Sequence, residues 1–132
     1  MTQREAERLF KSLRTKFART FPRILKATFR IANRRCVSDT HCRDRDLAYA
    51  IHEDMSITFL KRSLDLPKDN VAGLMLHELG HLCDINIANS GREQRADDLA
   101  EIATGTAVRY DESDIQTVSK RGKYPRPLNL HC

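Results

Sequence analysis

The stretch Leu76-His77-Glu78-Leu79-Gly80-His81-Leu82 holds two histidines four residues apart with a glutamate directly after the first, the pattern HExxH. On a helix each residue advances about 100°, so positions four apart differ by about 40° around the axis and about 6 Å along it. Both imidazoles then reach one metal ion. Glu78 projects beside them, out of line, where its carboxylate can take a proton from a water at that ion. This chemistry exists only if the segment is helical. Val71, Leu74, Met75, Leu76, Leu79 and Leu82 surround the pair and support a buried helix. Gly80 costs about 1 kcal/mol inside a helix relative to Ala, and the close approach of another backbone near the metal is a reason for it.

Three fixed letters also arise by chance, and two histidines on a helix are often ordinary core or surface residues. A zinc ion further needs a third protein ligand, with the fourth position left to water. No histidine follows His81 before His131. The third ligand therefore falls to a carboxylate among Asp84, Glu93, Asp97, Asp98 and Glu101.

The run Glu93-Gln94-Arg95-Ala96-Asp97-Asp98-Leu99-Ala100 resembles the ligand helix of the gluzincins, especially the minigluzincins and the ImmA/IrrE-type metallopeptidases, over roughly residues 57–103. The resemblance implies a zinc metallopeptidase, a hydrolase cleaving peptide or protein substrates, with metal ligands His77, His81 and Glu93 and the general base Glu78. It also implies that Asp97, one turn after Glu93, orients a ligand histidine. The larger gluzincins carry a further domain with a histidine or tyrosine that steadies the reacting carbonyl, and no such domain is apparent here. Tyr110 and His131 are the available groups on that side, and each is more ordinarily structural. His41 and His52 read as surface or hairpin residues. A rival reading exists for Glu93: Ser90-Gly91-Arg92-Glu93 is also a capping box, with Ser90 as the N-cap. In that case Asp97 is the next choice as ligand.

The elements that must position these groups follow from local signals. Asp65, Pro67, Lys68, Asp69 and Asn70 form a turn-and-cap cluster that opens a helix over about Val71–Asp84. Residues 85–91 end in Asn-Ser-Gly and read as a short connection. A second helix runs over about Arg92–Ala103 and is closed by Gly105. Upstream, Leu47–Ile51 and Met55–Leu60 are β-prone runs flanking a polar triplet, a hairpin or two neighbouring strands. Val108–Tyr110 reads as a further strand, and the turn-rich tail wraps the surface. In the first 35 residues Leu9, Phe10, Leu13, Phe17, Phe21 and Ile24 recur at spacings of three and four, an apolar helical stripe broken at Pro22.

The resulting expectation is an α+β fold: residues 1–35 a basic helical segment, residues 36–132 a minimal zincin-like domain with a small sheet, an active-site helix and a glutamate ligand helix. By the resemblance a sheet edge lies along the cleft and takes an extended peptide as an added strand, with Met55–Leu60 the candidate edge.

The 132 residues suit one domain, and no apolar run approaches the length of a transmembrane segment. The first residues lack the apolar stretch of a secretory signal, so a cytoplasmic protein is expected. Cys36, Cys42, Cys83 and Cys132 are then expected as reduced thiols, and Cys36, His41 and Cys42 match no zinc-knuckle spacing. The net charge of +5 is uneven, since residues 1–35 hold eleven Lys or Arg against Glu5 and Glu7. That segment is either a helix whose stripe packs on the body while its charges stay solvated, or an arm for nucleic acid, an anionic surface or an acidic partner. A protein in which zinc mainly completes the fold, and the basic segment makes the functional contact, is the alternative to an enzyme.

Overall fold

A computed structural model describes residues 1–32, 47–85, 91–108 and 132. The fold is α+β, three helices and a three-stranded mixed sheet. Helix α1, Gln3–Ala18, opens with a reciprocal cap: Thr2 Oγ1 accepts from the Glu5 amide, and Glu5 Oε1 accepts from the Thr2 amide, both at 3.1 Å. It stops short of Pro22, which begins a 3-10 turn, Pro22–Lys26. The apolar stripe is core: Phe10, Phe17 and Ile24 are buried, and Leu9, Leu13 and Phe21 pack partly buried against them.

The chain then forms strand β1, Thr28–Ala32, where the sequence reading expected helix. Thr28, Phe29 and Ile31 suit a pleated surface, and Phe29 carries the packing. It stacks on Phe10 of α1 with ring centroids 5.1 Å apart. Strands β2, Ala48–Ile51, and β3, Ser56–Leu60, form the expected hairpin, antiparallel with Ala48 opposite Phe59 and Ile51 opposite Ser56. Strand β1 pairs with β3 in parallel, Thr28 opposite Ser56. The order β1-β3-β2 makes β3 the central strand, so the expectation of an edge at Met55–Leu60 is corrected. All five β3 residues are buried, as befits a central strand paired on both sides and packed against α2.

After a second 3-10 turn, Lys61–Asp65, helix α2 runs Lys68–Cys83 and helix α3 Arg92–Thr104. Gly105 closes α3 with φ +73°, a left-handed conformation that glycine adopts without strain. Helix α2 is buried nearly all round, lying among α1, α3 and β2. No helix among the described residues is long and apolar enough to cross a membrane.

The expectation of reduced thiols is corrected at two positions. Cys83, the last residue of α2, forms a disulfide with Cys132, their Cα atoms 4.6 Å apart. That separation lies within the range a disulfide needs, and a contact across 49 residues of sequence is invisible to local patterning. Cys36, His41 and Cys42, the Ser90 cap, Tyr110 and His131 lie outside the described residues, as does most of the Val108–Tyr110 strand.

Candidate metal centre

Helix α2 sets His77 and His81 one turn apart with their rings edge-on, centroids 4.6 Å apart. Their Nε2 atoms lie 3.1 Å from each other. His77, Glu78 and His81 offer ligand atoms within 4.8 Å of one another, a group able to hold a metal ion. All three are buried.

The facing helix adds two carboxylates. Glu93 Oε2 stands 2.7 Å from His77 Nε2 and 2.9 Å from His81 Nε2. On the far side of the His77 ring, Nδ1 lies 2.7 Å from Asp97 Oδ1. One turn of α3 separates Glu93 from Asp97, so the two acids grip the same imidazole by its two nitrogens. The remaining candidates are placed differently. Asp84 accepts from Arg95 Nε at 3.0 Å in a buried ion pair, Asp98 accepts from Gln94 Nε2 at 3.1 Å, and Glu101 is exposed.

The N-cap of α3 is Gly91, with φ +76°, which has no side chain to cap the helix. The Glu93 carboxylate reaches across to α2.

Electrostatics follow from this geometry. Burial opposes an imidazolium at His77, but the hydrogen bonds to Asp97 and Glu93 and the nearby Glu78 charge outweigh it and raise its pKa to about 10. Burial likewise opposes the Glu93 carboxylate, yet hydrogen bonds from His77 and His81 hold it well below the usual carboxylate range. Nδ1 of His77 therefore donates to Asp97, which leaves Nε2 to face Glu93.

No family model, curated protein or solved structure matches the chain.

The approach of the two helices depends on Gly80. A Cβ built there would meet the carbonyl oxygen of Ala96 at 2.0 Å. The sequence anticipated a close backbone at this glycine but not which one. It also missed the Asp84–Arg95 pair, which joins the end of α2 to the start of α3. Its signal, a basic residue placed among acids and apolar residues on α3, was present but does not name the partner.

Proposed function

We propose that this chain is a zinc-dependent peptidase with a minimal zincin-like domain, in which His77, His81 and Glu93 hold the ion and Glu78 is the general base. The observation that carries the reading is the convergence of His77 Nε2, His81 Nε2 and Glu93 Oε2, separated by 2.7, 2.9 and 3.1 Å. With both Nε2 atoms deprotonated, two ring lone pairs and a carboxylate suit a shared cation. Two imidazoles and one carboxylate, with a position to spare, are a donor set of catalytic zinc. Donors of a tetrahedral ion bound at about 2.0–2.1 Å stand about 3.3 Å apart, so the observed triangle needs only slight widening.

Zinc bound there supplies a Lewis acid that polarises a carbonyl and lowers the pKa of water. Glu78 orients the attacking water, accepts its proton and hands it to the leaving amine. Asp97 accepts from Nδ1–H of His77 and so keeps the Nε2 lone pair aimed at the ion. An extended substrate would add to the sheet at β2, whose one partner among the described residues is β3 and which packs against α2.

The burial of His77 and His81, with side chains 2% and 8% exposed, favours a second reading in which zinc mainly completes the fold. A peptide library separates the two. The enzyme reading expects cleavage by zinc-loaded protein, loss of cleavage under a chelator and recovery on adding zinc back. Zinc-loaded protein that cleaves no member of the library would favour the structural role.

A further inference from the structure

Helix α1 buries one side and arms the other. At about 100° per residue, Arg4, Arg8, Lys11 and Arg19 fall within about 80° of one another, roughly opposite the buried Ala6, Phe10 and Phe17. All four are exposed, and their side chains make no hydrogen bond or ion pair among the described residues. Along the axis they span about 22 Å. Glu5 and Glu7 lie outside this arc, and Glu5 is tied to Thr2. Arg14 is excluded by its own work: it donates to the Ala27 carbonyl at 2.8 Å and lies over the Phe10 ring.

We propose that this face of α1 docks on the phosphate backbone of duplex DNA without reading its sequence. A row of four unpaired cations is complementary to a polymer carrying one negative charge per about 1.7 Å of axis, and long flexible side chains follow such a backbone by exchanging places with its counterions. Two other polyanionic surfaces fit less well. A basic amphipathic helix binds a membrane by sinking its apolar side among the lipids, and here Phe10 and Phe17 are committed to the core. Single strands are held by exposed aromatic platforms, which this arc lacks. The inference concerns a surface on α1 and holds whether or not the α2–α3 site hydrolyses peptides.

The test is fluorescence anisotropy of a labelled 20-base-pair duplex with the full chain, between 50 and 200 mM salt. Four phosphate contacts give a log–log salt slope of about −3.6, so binding weakens about a hundredfold across that range. The combined variant Arg4→Gln, Arg8→Gln, Lys11→Gln, Arg19→Gln should keep its circular dichroism spectrum and lose most of the slope. Each single substitution should remove about one unit, which keeps the test decisive should the combined variant fold poorly. Undiminished slope in folded variants, no binding by the wild type at 50 mM salt, or tighter binding to phosphatidylserine vesicles than to duplex would overturn the proposal.

Discussion

Gly80 of α2 lies against the carbonyl of Ala96 in α3, so close that a methyl group in place of its hydrogen would stand 2.0 Å from the oxygen. The contact sits between His77 and His81 on one helix and the Glu93–Asp97 pair on the other. Backbone cannot swing aside as a side chain can. Any residue but glycine must push the helices apart, and Glu93 then retreats from His77 and His81.

Gly80→Ala is accordingly expected to cost about 1–3 kcal/mol, the range for overpacking a close-packed interior, despite the gain in helix propensity. Zinc affinity should fall with it. Thermal denaturation and a competitive zinc titration check both, and a stabilised Gly80→Ala protein with wild-type affinity would contradict the contact.

Glu93→Gln should weaken zinc binding far more than Ser90→Ala. The first removes the charge facing both Nε2 atoms, while Gly91 already holds the N-cap position that Ser90 was a candidate for. Metal content after dialysis against a weak chelator measures the ranking. The reverse order would return Glu93 to a capping role.

Asp97→Asn tests the hydrogen bond behind the ligand. An amide at that position accepts less strongly from Nδ1 of His77, and loss of such a partner typically lowers metal affinity 10- to 100-fold. Unchanged affinity would leave Asp97 a packing residue only.

The charges predict a pH signature for chelated protein. The pKa of His77 is raised from 6.5 to about 10, so its contribution to stability is complete below about pH 6.5 and is lost as pH climbs towards 10. Glu93 is lowered, so its contribution is present above about pH 4.5 and is lost as pH falls from there. The metal-free protein should therefore melt at progressively lower temperature from pH 7 to 10. Zinc must displace the His77 proton, so apparent zinc affinity should rise over the same window, with about one proton released per ion at pH 7. Calorimetry in buffers of different ionisation heat counts that proton, and its absence would show His77 neutral beforehand.

The two site helices and the hairpin were legible because their signals are local: the turn cluster at residues 65–70, the apolar surroundings of HExxH, Gly105, and two β-prone runs around a polar triplet. Gly80 announced a close neighbour for the same reason, as a costly residue where a better helix former would fit. Non-local facts were not legible. Strand β1 follows directly on a basic amphipathic segment, and only its parallel pairing with β3 makes Thr28–Ala32 extended. That pairing also turned β3 from a candidate edge into the centre of the sheet. The Cys83–Cys132 disulfide and the Asp84–Arg95 pair join residues whose proximity depends on how the chain returns on itself. At Glu93 two local readings were both sound; its carboxylate lies against His77 and His81, while Ser90 falls outside the described residues.

The proposal as a whole turns on Glu78, a buried carboxylate whose ligand atom lies within 4.8 Å of those of His77 and His81, and which the proposal makes the base rather than a ligand. Glu78→Gln keeps its size and removes its basicity. The decisive measurement is the rate of peptide hydrolysis by zinc-replete Glu78→Gln beside zinc-replete wild type, on any peptide the wild type cleaves. General-base catalysis is worth about 10²- to 10⁴-fold, so a loss of that size is expected with zinc content and melting temperature near wild type. Equal rates in the two zinc-replete proteins would contradict the account.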